Sequence, residues 1–216
     1  MQLTAETLNQ NLELADTLLA GRDRILEPQD LPGRYGRVVR ALDQVLGACD
    51  CEAVVSGVWA VWRHGYIGRV TQDVDIALPK ASVDGFLQAA SVSGFEVVSQ
   101  PEGRWPKIRH RETGIELDVL PEGGRPGTAS RPAPTVIPHP KAMGAVSGKL
   151  KYSSLPSLIE LKLAAGRLRD EADVVELARE NRDRLDEIRQ HLAAVHTKYL
   201  TRFDELLQQL DEPAGG

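Results

Sequence analysis

Cysteine is almost absent from this 216-residue chain: only Cys49 and Cys51 occur, one residue apart. So close a pair does not make a structural disulfide, and two thiols alone do not complete a metal site. Two reduced, partly buried thiols in a cytoplasmic protein are expected. Long apolar runs are lacking too. No stretch approaches the roughly 20 residues of a membrane helix, so no membrane partner is expected. The first residues, MQLTAETLNQNLELAD, are polar and acidic. They have neither the basic start nor the apolar core of an export signal. Nor is there an excess of positive charge. The net charge of −5 argues against a general electrostatic grip on nucleic acid and leaves room only for a local basic face.

What remains is ordinary for a globular protein, with 42% hydrophobic and 26% charged residues. The length suffices to bury a normal core in one or two domains. No internal repeat is present.

Residues 54–78, VVSGVWAVWRHGYIGRVTQDVDIAL, organise the chain. They read as a strand, a Ser56-Gly57 turn, a short helix closed by Gly65, and a second strand carrying Asp73-Val74-Asp75. Side chains alternate along a strand, so Asp73 and Asp75 face the same way, about 6–7 Å apart. Two carboxylates on one face repel unless a cation lies between them, and a divalent metal suits that place. The turn adds backbone N–H groups of Ser56, Gly57 and Val58 at a helix N-terminus, which suits a phosphate. Metal on one strand and phosphate at the next turn point to nucleotide chemistry.

Ser56-Gly57, His64-Gly65 and Arg69-Val70-Thr71-Gln72-Asp73-Val74-Asp75, in that order, resemble the nucleotidyltransferases of the DNA-polymerase-β superfamily. The similarity is greatest to its abortive-infection and toxin–antitoxin branch. Leu161-Lys162-Leu163-Ala164-Ala165-Gly166-Arg167 followed by Asp170 and Asp173 resembles that branch's later motifs. The likeness covers about residues 50–180. It departs from the family at the turn, where Gly-Gly or Gly-Ser is usual and Ser56-Gly57 stands here.

The flanking segments read as scaffold. Leu8, Leu12, Ala15 and Leu19 recur at helical spacing over residues 4–20, with Leu14 and Leu18 widening the stripe. A second helix is expected over 36–46, buried through Val38, Val39, Leu42, Val45 and Leu46. In the short helix, Trp59 and Trp62 are expected to pack rather than stack on a base. His64 is either a general base or a helix-terminal His with one hydrogen bond. Arg69 and Thr71 either contact phosphate or brace the strand by pairing with an Asp. A helix over 81–93 and a strand at 95–98 follow, then strand-like runs at 105–110 and 115–120 around a Glu-Thr-Gly turn. In the second run Glu116 and Asp118 share a face. If that strand lies about 4.8 Å from the one bearing Asp73 and Asp75, it supplies a third carboxylate. The resemblance favours Asp118 for it; Glu116 is the alternative.

Residues 121–148 are rich in Pro and Gly and read as an ordered, irregular loop with one short strand at Thr135-Val136-Ile137. The stretch 104–151 is the most basic of the chain and suits a triphosphate or an RNA backbone. Ser153-Ser154-Leu155-Pro156 starts a helix over 156–167. Lys162 lies among its apolar residues and either snorkels to the surface or, as the resemblance implies, faces the active site. In the second case Lys162→Ala weakens nucleotide binding and leaves the fold intact. Asp170 and Asp173 share a face of the next helix and brace Lys162 or Arg167, or cap the helix; the resemblance puts Asp173 with the nucleotide-binding residues. Helices over 182–195 and 197–210 complete the chain.

The expected fold is α+β. A small mixed-sheet nucleotidyltransferase core occupies 1–150, flanked by helices, and a helical part occupies 151–216. Under the resemblance, Asp73, Asp75 and Asp118 are catalytic and hold one or two Mg²⁺ ions. Ser56, Gly57, Arg69, Thr71, Lys162 and Asp173 bind the NTP. The implied acceptor is a hydroxyl of RNA or a tRNA end, of a protein, or of a small molecule such as an aminoglycoside. A toxin–antitoxin setting implies a cognate antitoxin as partner. The rival reading is a non-catalytic nucleotide- or partner-binding module that keeps the fold.

Overall fold

A computed structural model describes residues 4–21, 26–68, 70–71, 73–98, 105–128 and 130–211. Its first helix, α1 (Ala5–Ala20), starts where the Thr4 hydroxyl accepts the Thr7 amide at 3.1 Å. The buried stripe of α1 is Asn11, Leu14, Ala15 and Leu18, while Leu8 and Leu12 stay exposed. The face is thus rotated from the expected one. Asn11 can join it because its side-chain amide donates to Thr7 O at 2.8 Å. Helix α2 (Gly33–Ala48) begins three residues before the expected start, directly after Pro32, and buries the five predicted apolar residues.

Strand β1 (Ala53–Ser56) leads straight into α3 (Gly57–Arg63), and β2 (Asp73–Leu78) returns beside β1. Helix α4 (Val83–Val92) connects to β3 (Phe95–Val97), β4 (Lys107–His110) and β5 (Glu116–Pro121). The last strand is β6 (Leu150–Tyr152). The six strands form one mixed sheet in the order β3-β4-β5-β2-β1-β6. Pairs β5/β2 and β1/β6 are parallel and the others antiparallel. The α+β class and the mixed sheet are as expected from the sequence.

Two details differ. Thr135–Ile137 is not a strand; Ile137 N–H donates to Gly124 O at 2.8 Å and its carbonyl accepts from Gly123 N–H at 2.9 Å. Pro134 and Pro138 flank it, and a proline cannot donate to a ladder. The strand in this part of the chain is β6, three residues long and too short to show a period. It lies across the 150/151 boundary expected from the sequence. The Asp43 carboxylate anchors it by accepting the Leu150 amide at 2.8 Å, and Gln29 Nε2 donates both to Asp43 and to Leu150 O.

Alternation along the central strands sorts the two sheet faces. Val55, Val74, Ile76, Leu78, Leu117 and Val119 join the residues of α1, α2 and α4 in the main core. Val54, Ala77 and Leu120 point the other way, against Ile137, Met143 and Leu161. The loop over 121–148 therefore covers one end of the second face. The helical remainder is α5 (Leu155–Ala165), α6 (Leu168–Glu180), α7 (Leu185–Val195) and α8 (Thr197–Asp211). These helices have their own apolar cluster, which Ala60 and Val61 of α3 join. Helix α5 is buried along nearly its whole length between sheet and helices. Among the described residues no helix is long and apolar enough to cross a membrane.

Candidate active site

Register turns a two-residue pattern into a site. In the β1/β2 pair Ser56 stands opposite Asp75, at the end of the strands away from the Val54–Ala77 pair. In the parallel β2/β5 pair Asp73 stands opposite Glu116 and Asp75 opposite Asp118. Partners across a ladder share a face. Four carboxylates thus project from the second face of the sheet, beyond its apolar end.

A cavity of about 760 Å³ opens over them, within the range of small-molecule sites. Ser56, Gly57, Thr71, Asp73, Asp75 and Asp118 line the sheet side. Lys162, Arg167, Arg169 and Asp170 line the side formed by α5 and the start of α6. Arg125 and Thr128 come from the Pro- and Gly-rich loop, and Trp105 and Lys107 from the approach to β4. Of the residues singled out in the sequence, Asp173 does not line the cavity. It is buried behind Lys162, whose ammonium it receives at 2.6 Å. Arg69 lies outside the described residues.

The turn explains its own glycine. Gly57 has φ +64°, and a Cβ added there would meet Asp75 Oδ2 at 1.8 Å. The β1–α3 backbone thus runs against the Asp75 carboxylate, which only a residue without a side chain allows. Gly57→Ala is expected to lose on the order of 1–3 kcal/mol, through backbone strain and displacement of Asp75. Thermal melting checks this, and an unchanged melting temperature would show that the turn relaxes freely.

Burial pushes Asp75 up to a pKa of about 6, with Asp73 and Asp118 adding to the shift and Lys162 and Arg167 opposing it. Asp118 is also raised, by burial first, against the pull of Lys107. Thr71 donates its hydroxyl to Asp73, the bracing contact that was one of the two alternatives for it. Glu116, the alternative third carboxylate, is gripped by Arg109 at 2.7 Å and is held below the usual carboxylate range chiefly by that bond. It does not line the cavity, and Asp118 does. His64 does not line it either. Its Nε2 lies 2.9 Å from Ser153 O, the helix-terminal bond that was the plainer expectation. Trp59 and Trp62 are buried, with Trp59 edge-on to Tyr35 at 5.3 Å. Both are packing residues.

Lys162 does not snorkel. It is 5% exposed, and its Nζ is 2.6 Å from Asp173 and 3.3 Å from Asp170. Arg167 also reaches Asp170, with Nη2 at 3.1 Å from Oδ1. Burial alone would raise the Asp170 pKa, yet Arg167 and Lys162 outweigh it and hold the carboxyl low. The predicted bracing of Lys162 and Arg167 is therefore realised. The sequence reading did not single out Lys107, Arg125 or Arg169. Lys107 and Arg125 fall within the basic stretch, which was their only signal; nothing local marks Arg169.

Does a metal fit here? The donors are hard carboxylate oxygens on one face, the type that Mg²⁺ takes. Burial is the main cause of the raised Asp75 pKa, and the repulsion from Asp73 and Asp118 that adds to it is what a dication would relieve. Among the described residues, however, no three acidic, His or Cys side chains are already gathered into a metal cage. Asp118 is held 3.3 Å from Lys107. The residue types fit, and one oxygen of Asp118 is already shared with Lys107.

No family model matches the chain, and no curated protein matches it in sequence. Among solved structures it is similar to a crystal structure of ANT(2″)-Ia in complex with adenylyl-2″-tobramycin. That likeness has a TM-score of 0.43 at 13% identity, over 81% of this chain and 97% of the other. A solution structure of the antibiotic-resistance factor ANT(2″)-Ia gives a TM-score of 0.41 at 14% identity, over 81% and 92%. At such scores the overlap is partial and decides nothing about substrates.

Proposed function

We propose that this chain is a divalent-metal-dependent nucleotidyltransferase that moves an NMP from an NTP to an acceptor hydroxyl. One observation carries the reading: Asp73, Asp75 and Asp118, on adjoining strands, face a cavity whose opposite wall carries Lys162, Arg167 and Arg169. Carboxylates suit a metal and the cations suit a triphosphate, and the cavity sets one against the other. Its sheet side and its α5–α6 side come from the two expected domains, 1–150 and 151–216.

Asp73, Asp75 and Asp118 would hold Mg²⁺, which when bound offsets phosphate charge and acidifies a coordinated hydroxyl. The Ser56-Gly57 turn receives phosphate oxygens beside Asp75, and Thr71 keeps Asp73 in place. Lys162 and Arg167 place positive charge where the leaving pyrophosphate gains negative charge. Asp173 acts through Lys162. Asp118 accepts the proton of the acceptor hydroxyl as its oxygen bonds to the α-phosphorus. The bond from the α-phosphorus to the bridging oxygen then breaks, and pyrophosphate departs with both electrons of that bond.

Five basic side chains (Lys107, Arg125, Lys162, Arg167, Arg169) and four aspartates (Asp73, Asp75, Asp118, Asp170) line the cavity. A dication on the three sheet aspartates would leave the lining net positive, which favours an anionic acceptor, an RNA or tRNA end, over a polycationic small molecule such as an aminoglycoside. A protein hydroxyl comes next. A toxin role with a cognate antitoxin rests on the sequence resemblance. The rival, a non-catalytic nucleotide-binding module, draws on the contact between Asp118 and Lys107. The deciding experiment incubates the protein with each α-labelled NTP, Mg²⁺ and either total RNA or total protein. Label is expected in RNA and absent with EDTA. Label in neither fraction, with nucleotide still bound, would establish the module instead.

A further inference from the structure

The carboxylate that the metal reading needs is already occupied by a cation of the protein itself. Strand β4 lies on the far side of β5 from β2, and the antiparallel register sets Lys107 opposite Asp118 and Arg109 opposite Glu116. In the next pair Glu96 stands opposite Arg109. Opposite charges therefore face each other in three ladder pairs on one face of β3, β4 and β5. Arg109 is 3.0 Å from Glu96 and 2.7 Å from Glu116 Oε1. The other Glu116 oxygen is 3.3 Å from Lys107, whose ammonium is also 3.3 Å from Asp118. The row of charges ends at Asp118 in the cavity.

Lys107 holds Asp118 through Oδ1, and a divalent ion brought to that carboxylate would repel the ammonium beside it. We propose that Lys107 is the resident counter-ion of Asp118, displaced from it by the divalent metal, and that Glu116 is the anchor to which Lys107 then retreats. The proposal rests on the metal-dependent nucleotidyltransferase reading. It gives Glu116 a purpose that its exclusion from the cavity otherwise leaves open. Arg109 holds one Glu116 oxygen and leaves the other for the lysine. Lys107 is thus a positioning residue that sets the affinity of the site for metal.

Mn²⁺ titration of the full chain, followed by the EPR signal of free Mn²⁺, tests this without turnover. Lys107→Met is expected to tighten Mn²⁺ binding about five- to tenfold by removing a competing ion pair. Lys107→Arg should restore wild-type affinity or weaken it further. Glu116→Gln should weaken Mn²⁺ binding in the wild-type background and lose most of that effect in the Lys107→Met background. A general field effect of the lost charge would persist in both. If Lys107→Met binds Mn²⁺ no tighter than wild type while Asp75→Asn abolishes binding, the counter-ion role is wrong and the metal site stands. If neither wild type nor Lys107→Met binds Mn²⁺, or if Asp75→Asn leaves binding intact, the metal reading falls and this inference with it. Thermal melts of each variant accompany the titration. Should Lys107→Met not fold, Glu116→Gln decides alone: unchanged Mn²⁺ affinity there overturns the retreat.

Discussion

Asp75→Asn is expected to abolish Mg²⁺-dependent nucleotidyl transfer and, without metal, to leave the protein more stable than wild type at neutral pH. The carboxyl has a folded pKa of about 6, against 3.8 unperturbed, because it is buried beside Asp73 and Asp118. An acid whose pKa rises on folding binds more protons folded than unfolded between those two values. Wild-type stability therefore falls as pH rises from about 4 to above 6, by at most roughly 3 kcal/mol for a shift of this size. Water in the cavity screens part of that. A gain on the order of 1–2 kcal/mol is expected for the variant above pH 7, fading below pH 4. Urea denaturation at both ends of that window measures it. Mg²⁺ with NTP should raise the melting temperature of the wild type and not of the variant, since only a ligand of the native state stabilises it. A metal-free variant that melts well below wild type at neutral pH would mean that Asp75 is a structural anchor, and the enzyme reading would lose its physical basis.

Lys162→Ala is expected to have the largest effect on stability, contrary to the sequence expectation that the fold would stay intact. Lys162 is 5% exposed and serves two buried aspartates, at 2.6 Å and 3.3 Å. Removing one partner of a buried ion pair leaves charge without compensation, at a cost of about 3–5 kcal/mol. Arg167 still serves Asp170, and Asp173 loses its 2.6 Å contact with the ammonium. The double variant Lys162→Met/Asp173→Asn should recover much of it, because it removes both charges at once. Equilibrium denaturation of the single and double variants gives the comparison. A Lys162→Ala protein as stable as wild type would refute the buried pair and return Lys162 to a purely nucleotide-facing role.

Both predictions depend on where neighbouring chain segments end up, and the sequence was unequal to that in a specific way. Strand alternation is a local property, so Asp73-Val74-Asp75 was enough to put two carboxylates on one face. The Ser56-Gly57 turn was legible for the same reason. The backbone must reverse from strand to helix there, and Gly57 takes φ +64°. Helix α5 announced itself by Ser154 and Pro156, but the αL Gly166 ends it before the expected Arg167. On α1 the expected apolar stripe was off by part of a turn. Several leucines competed for burial, and only the rest of the core chose Leu14 and Leu18 over Leu8 and Leu12.

By itself the sequence determined the strand–turn–helix–strand unit and the facing of Asp73 and Asp75, because these follow from period and turn chemistry within a few residues. Tertiary structure decided what those aspartates meet. Glu116 and Asp118 share a strand face, and only the resemblance favoured Asp118 until the parallel β2/β5 register, with Arg109 and Lys107 on β4, withdrew Glu116 and left Asp118 in the cavity. The sequence left Lys162 between snorkelling and facing the site, and its burial was decided when α6 set Asp170 and Asp173 against it. Lys107 carried no signal beyond its place in the basic stretch, because its importance comes from a partner 11 residues away across a ladder. Charge pairing between strands depends on register, and register is fixed by the whole sheet rather than by any one segment of the chain.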